Sequence, residues 1–192
     1  MLITISREFG AGGSSVAHLV AERLGWRLVD NQLVEEIARR AGMTTAEAAE
    51  RVERGPTFVE RLARALAAAT PELLAPADGQ LPEAEEARLQ RITEQVVAEA
   101  AEDHAVLVGR AAVAVIGQRQ GALHVKLIAG SDYRAQIVAD RLGLPLEAAL
   151  RKIRDVDAHR VEYHRRYYHR DWTDSRNYHL VINTGWLGLE QA

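Results

Sequence analysis

Residues 3–30 read "ITISREFGAGGSSVAHLVAERLGWRLVD". An apolar strand pattern reaches a glycine cluster, the cluster opens an amphipathic helix pattern, and the helix reaches a second short apolar run ending at Asp30. Such an alternation of strand, turn, helix and strand opens an α/β fold with parallel strands. A turn of this kind leaves backbone N–H groups without acceptors at a helix N-terminus, where the dipole also favours negative charge. Glycines at 10, 12 and 13 allow backbone to approach an oxygen ligand closely. The hydroxyls of Ser14 and Ser15 suit a phosphate oxygen or a magnesium ion.

Three readings of this loop stand side by side. Aligned on Gly12, the phosphate-loop pattern G-x-x-x-x-G-K-[ST] keeps its hydroxyl at Ser14, but its first glycine falls on Arg7 and its lysine on Gly13. The dinucleotide pattern G-x-G-x-x-G keeps Gly10 and Gly12 and meets Ser15 at its third place, with Asp30 where a ribose-binding acid would stand. A tight turn with no ligand is the third reading.

Outward from the loop, Leu2–Ser6 reads as a buried strand, Gly13–Leu24 as a helix and Arg27–Val29 as a second strand. Asn31–Ala41 reads as a helix stopped by Gly42. Thr44 or Thr45 caps another that carries Glu47 and ends near Gly55-Pro56. Thr57–Ala69 is amphipathic, 70–82 is a proline-rich loop, and Glu83–Asp103 is a long charged helix. Strands follow at Ala105–Gly109, Leu123–Ala129 and Leu180–Asn183. Helices are expected at Ala111–Arg119, at Ser131–Leu142 with Ser131 as its cap, and over Leu146–Tyr168. Five short apolar strands alternating with helices indicate a parallel sheet, with a strand-free helical insertion between the second and third strands.

Composition bounds the function. The 192 residues suit one domain with an insertion, and 47% hydrophobic residues supply a sizeable core. A net charge of -3 provides no global basic field and argues against nucleic acid. The absence of cysteine excludes disulfides and thiolate metal sites and agrees with a cytoplasmic location. No run approaches the ~18 apolar residues of a membrane span, and no signal-peptide pattern opens the chain. Lys126 and Lys152 are the only lysines, so the basic charge is almost all guanidinium. That excess reflects either coding bias or phosphate binding by planar cations.

The opening segment, with Ser6-Arg7-Glu8, Gly10-Ala11-Gly12-Gly13 and Val29-Asp30, resembles the cytidylate kinase-like family near the bacterial CMP kinases. So do "VLVGRAA" (106–112), "HVKLIAGSDYRAQIVADRLGL" (124–144) and "DVDAHRVEYHRRYYHRDWTDSRNYHLVINT" (155–184), in the family's order and over nearly the whole length. The resemblance implies a P-loop NTPase-type three-layer fold with a five-stranded parallel sheet. The core would be residues 1–30, 105–150 and 178–192, the helical monophosphate-binding insertion 31–104, and an arginine-rich lid 151–177. It implies transfer of the γ-phosphoryl group of Mg-ATP to a nucleoside monophosphate, CMP or dCMP by analogy. ATP and Mg²⁺ are the expected cofactors. Two positions depart from the orthodox enzymes. Gly13 replaces the loop lysine, and Ala111 replaces the aspartate of a Gly-Arg-Asp triplet that helps read cytosine.

Candidate site residues follow. Phosphoryl transfer needs positioning and charge neutralisation more than covalent work, and guanidinium groups can do the work of an ammonium. Arg7, beside the glycine cluster, either reaches over the phosphates to supply the missing charge or pairs with Glu8. Gly10, Ala11, Gly12, Gly13, Ser14 and Ser15 form the cradle for the donor. Arg110, at a strand's C-terminal end, faces the crevice where parallel sheets bind ligands and is assigned to the acceptor phosphate. Asp30 is assigned to the acceptor or, with Ser14, to magnesium; it could equally cap the helix that follows. Asp157 and Arg160 match the family's lid pair. A further lid arginine of the family falls on Ile153, flanked by Lys152 and Arg154. Residues 151–170 would carry this charge on a helix–loop–helix. His159, His164 and His169 are five residues apart, which does not keep one helix face and argues against a metal site. Alternatives from other classes are a non-catalytic nucleotide-binding regulator of the same fold and a dinucleotide-binding protein. The helices of 44–104 could close on themselves or form a homodimer.

Overall fold

The computed structural model describes residues 1–48, 85–102 and 104–192. The expected helix at 57–69 and loop at 70–82 lie outside the described residues. The strands are β1 (Leu2–Arg7), β2 (Arg27–Val29), β3 (Ala105–Val108), β4 (Ala122–Ile128) and β5 (Leu180–Asn183). They form one sheet in the order β2-β3-β1-β4-β5, and every pairing is parallel. The helices are α1 (Gly13–Leu24), α2 (Asn31–Ala41), α3 (Glu85–Ala100), α4 (Ala112–Ile116), α5 (Ser131–Leu142), α6 (Leu146–Tyr168) and α7 (Thr184–Leu187). Among the described residues no helix is long and apolar enough to cross a membrane.

Strand alternation divides the core into two faces. Register places Ile3 and Ile5 beside Val106 and Val108, and these pack with Val125 and Leu127 against Val16, Ala17 and Ala21 of α1. The intervening Leu2, Ala105 and Leu107 face the other way. They pack with Leu33 and Ile37 of α2 and Ile92 and Val97 of α3. Helices therefore cover both faces, as the near-continuous apolar strands require. On α5 and α6 the contact is made largely by Ala135, Val138, Ala139, Ala149 and Ile153.

Half of the second face departs from this apolar pattern. Thr4 and Ser6 of β1 and His124 and Lys126 of β4 are all buried and lie side by side in register. The Thr4 hydroxyl and His124 Nδ1 are 2.7 Å apart, and His124 Nε2 lies 2.6 Å from the Gly117 carbonyl. Each polar atom thus has a partner, which buried polar groups need.

Several element ends differ from the sequence reading. Thr44 and Glu47 do form a reciprocal capping box, with Thr44 N–H donating to Glu47 Oε2 at 2.8 Å and Glu47 N–H to Thr44 Oγ1 at 3.2 Å. The helix expected over Ala111–Arg119 ends at Ile116, because Gly117 turns the chain out of helical geometry at φ 58, ψ -139. Ser131 is the first helical residue of α5, not its cap; Gly130 holds the cap position with no side-chain hydrogen bond. Leu146–Tyr168 forms one unbroken helix with the bounds read from the sequence, so the helix–loop–helix read over 151–170 does not form, and the helix stops at left-handed His169.

Candidate active site

The loops after β1, β2 and β3 meet at the C-terminal edge of the sheet. The chain passes from β1 over β3 to β2, returns to β3, and then crosses β1 to reach β4, so the direction of crossing reverses at this edge, the topological switch point where open parallel sheets bind ligands. The glycine loop, residues 8–12, lies there. α1 begins with no side-chain cap, so its first amides remain available to an anion. The Thr184 hydroxyl lies 3.0 Å from the Ala11 carbonyl and 3.3 Å from that of Ile128, tying the loop to the end of β4.

Arg7 packs against both Gly13 and Gly109. A Cβ built on Gly13 would lie 2.4 Å from Arg7 Cγ, so the arginine stem occupies the space of any side chain at position 13. A Cβ on Gly109, which sits at φ 73, would lie 1.8 Å from Arg7 Nη1. The guanidinium therefore crosses the Gly109 backbone, and Gly13 and Gly109 together form the slot that holds it. The pairing of Arg7 with Glu8 does not form. The Glu8 carboxylate instead accepts the Ala129 N–H at 3.1 Å and lies 3.5 Å from Arg134 Nε.

Asp157 and Arg160 of α6 fasten the helix to the loop. Asp157 accepts the Phe9 N–H at 2.9 Å and Arg134 Nη1 at 2.5 Å, and Arg160 Nη1 donates to the Arg7 carbonyl at 2.8 Å. The backbone on both sides of Glu8 is thus held by one turn of α6. Asp30 holds the N-cap position of α2 without capping it. Its Oδ2 accepts the Ser14 hydroxyl at 2.9 Å, so the two residues assigned to magnesium stand together. Among the described residues there is no cluster of three or more His, Asp or Glu side chains suited to a transition metal.

After β3, Gly109, Arg110 and Ala111 run consecutively left-handed, at φ 73, 51 and 51. For the two non-glycine residues this costs roughly 1–2 kcal/mol each, the kind of strain that collects at ligand sites. The turn brings Arg110 to a cavity of about 40 Å³ that Arg7 and Arg160 also line, together with Tyr163, His164 and Trp172. Arg154 is exposed on α6 and does not line this cavity, and Ser15 is exposed at the start of α1.

Sequence reasoning missed the wall of this cavity. Buried Trp172 donates its indole N–H to Ser6 Oγ at 2.9 Å, and its carbonyl accepts Lys126 Nζ at 2.7 Å and the Tyr178 hydroxyl at 2.8 Å. The Lys126 ammonium lies 4.0 Å from the Trp172 ring centre and 5.2 Å from that of Tyr178. Burial lowers the Lys126 pKa from its ordinary value. The signal lay in the alternation of Thr4-x-Ser6 and His124-x-Lys126, a polar period of two on strands otherwise apolar.

His164 gives this wall a pH dependence. Burial, and then the charges of Lys126, Arg160 and Arg170, lower its pKa to about 4. The folded state therefore binds fewer protons than the unfolded chain between pH 6.5 and 4, and stability falls as pH drops through that window. At about 1.4 kcal/mol per pH unit the loss reaches up to about 3 kcal/mol. Thermal melts of wild type and His164→Gln from pH 8 to pH 4 check this, the variant losing less stability below pH 6.5 than wild type.

Comparison with known proteins agrees with this fold. The model of the "Cytidylate kinase-like family" matches residues 2–185. The chain belongs to the cytidylate kinase-like family. A crystal structure of an uncharacterized protein from Eubacterium ventriosum superposes with a TM-score of 0.68 at 21% identity, covering 99% of this chain and 91% of that one. A shikimate kinase from Bacteroides thetaiotaomicron superposes with a TM-score of 0.51 at 14% identity, covering 96% and 86%. At these identities the likeness concerns the fold, which is that of P-loop kinases. A uronate isomerase from Corynebacterium glutamicum is 34% identical over 106 residues, 54% of this chain. The chain spans only 20% of that protein's length. Family membership makes phosphoryl transfer the class of chemistry to which this cytidylate kinase-like site is to be fitted.

Proposed function

We propose that this cytidylate kinase-like protein transfers the γ-phosphoryl group of Mg-ATP to a nucleoside monophosphate, with CMP or dCMP as acceptor. The observation that carries the reading is the convergence of Arg7, Arg110 and Arg160 on one cavity beside an uncapped helix N-terminus. The amides of Gly10 and of Gly12–Ser15 cradle the donor phosphates, while that of Ala11 closes the loop on the Glu8 carbonyl at 3.1 Å. Arg7, gripped between Gly13 and Gly109, supplies the cation that a loop lysine supplies elsewhere. Its planar fork can bridge two phosphoryl oxygens, which an ammonium does less well. Arg110 holds the acceptor phosphate, and its strained turn fixes where that phosphate sits. Arg160 adds charge from the lid side. Asp157, already engaged by Phe9 and Arg134, positions Arg160 and the loop without touching the nucleotides.

Ser14 and Asp30 fit magnesium, a hard cation that takes oxygen ligands, keeps several waters and needs only one or two protein groups beside phosphate. When bound there, the ion would neutralise charge on the phosphates during transfer. Residues 31–104 serve as the acceptor-binding insertion and 151–177 as the lid that excludes water. Arg154, exposed on α6, meets the donor only as the lid closes.

The test is transfer of radiolabelled phosphate from ATP to a panel of CMP, dCMP, UMP, AMP and GMP by the purified protein. The expected result is labelled CDP or dCDP formed faster than any other diphosphate. Turnover confined to another acceptor would remove the cytidine assignment. ATP binding with no acceptor turned over would make the protein a nucleotide-binding regulator.

A further inference from the structure

A second, larger concavity lies away from the arginine cavity. It is a cleft of about 520 Å³ between the loop after α4 and the segment that returns from α6 to β5. That is within the roughly 300–1,000 Å³ of small-molecule sites. It shares no lining residue with the cavity at the glycine loop. Three arginines, Arg119, Arg170 and Arg176, face it together with His179 and Tyr178, and no carboxylate lines it. This local excess of positive charge stands on a chain whose net charge is -3.

The arginines are not all neutralised by neighbours. Arg176 is gripped by Asp174, with Nε 2.9 Å from Oδ2 and Nη2 2.7 Å from the same oxygen. Among the described residues Arg119 and Arg170 have no carboxylate within ion-pair reach. His179 accepts the His124 N–H on Nδ1 at 2.8 Å, which leaves its Nε2 as a donor. The rings of His124 and His179 stack at 5.1 Å with 17° between their planes, giving the cleft one flat, rigid side. Guanidinium forks and an imidazole donor without a competing carboxylate suit an oxyanion carrying more than one charge.

We propose that this cleft is a second binding site, for a phosphate-bearing small molecule with at least two negative charges, and that it acts on the lid. Arg170, Arg176, Tyr178 and His179 all belong to the return segment or its flank. Tyr178 forms part of the partition between the two sites: it lines the cleft, and its hydroxyl donates to the carbonyl of Trp172, which lines the arginine cavity. An anion drawing Arg170 and Arg176 toward Arg119 loads the segment that carries Trp172. Binding in the cleft therefore changes how tightly α6 and Arg160 are held against the glycine loop.

The experiment is a titration of ¹⁵N-labelled protein with inorganic pyrophosphate, followed by backbone amide shifts. Two saturating responses are expected, one over Gly10–Ser15 and one over Gly117–Arg119 and Arg176–His179, each with its own dissociation constant. Arg119→Glu should weaken the second by at least about tenfold while leaving the first unchanged, since it reverses one charge-assisted contact at an exposed position. Arg119→Gln serves where the reversal harms folding. A response confined to Gly10–Ser15, or a cleft response that survives both variants, overturns the proposal. Silence at Gly10–Ser15 alone counts against phosphoryl transfer and leaves the cleft assignment standing, so the two failures are distinguishable.

Discussion

Gly13→Lys, which restores the residue that orthodox phosphate loops carry, is expected to lower kcat/KM by about 100-fold or more instead of raising it, the cost of losing one preorganised electrostatic contact. The reason is steric. A Cβ at position 13 would come within 2.4, 2.8 and 3.1 Å of Arg7 Cγ, Cβ and Cδ. Those atoms are the root of the side chain, so Arg7 cannot yield by swinging its tip; the whole stem must leave. Its guanidinium then loses its seat across Gly109. Arg7→Ala removes the same cation directly and is expected to cost about as much. The double variant, Gly13→Lys with Arg7→Ala, gives the lysine its room and should recover part of the loss, a non-additivity diagnostic of two side chains that compete for one place. Steady-state kinetics with ATP and the preferred acceptor measure this, with calorimetric ATP binding as the readout that does not depend on turnover. Wild-type activity in Gly13→Lys would show that Arg7 and a loop lysine can coexist and that Arg7 is not its replacement.

That steric exchange also shows where sequence reading stops. Gly13 at the lysine position and Arg7 at the first-glycine position are both visible in one line of sequence, and they suggest a substitution of one cation for another. The third partner, Gly109, is 102 residues from Arg7, and only the parallel pairing of β1 with β3 brings it under the guanidinium. Local elements were legible because their signals are local: Gly25, Gly42 and Gly143 end their helices in left-handed caps, and apolar runs mark the strands. Ser14 and Asp30 meet because both stand at element ends on the same sheet edge. The Trp172 wall was illegible for the opposite reason. Its partners Ser6, Lys126 and Tyr178 come from two strands and a connecting segment, and a lone buried lysine reads as surface charge until its strand is placed.

Trp172→Ala is expected to destabilise the fold by about 3–5 kcal/mol, as truncation of a buried large aromatic residue does. For a chain of this size that lowers Tm by about 10 °C. Trp172 is 4% exposed, and its ring covers the one part of the sheet where the buried side chains are polar. Truncation removes the indole donor from Ser6 and the aromatic face from the Lys126 ammonium, so the loss combines a cavity with a buried cation deprived of its ring. Lys126→Met separates these terms. It deletes the charge but keeps most of the volume, and buried charges replaced by apolar groups of similar size are often tolerated with little net loss. Lys126→Met should therefore melt well above Trp172→Ala, although both residues meet at the same carbonyl. Equal losses in the two variants would assign the stability to the Lys126 hydrogen bond. A fall of less than about 3 °C in Trp172→Ala would mean that the return segment is anchored elsewhere, and that Tyr178 has no rigid wall through which to act.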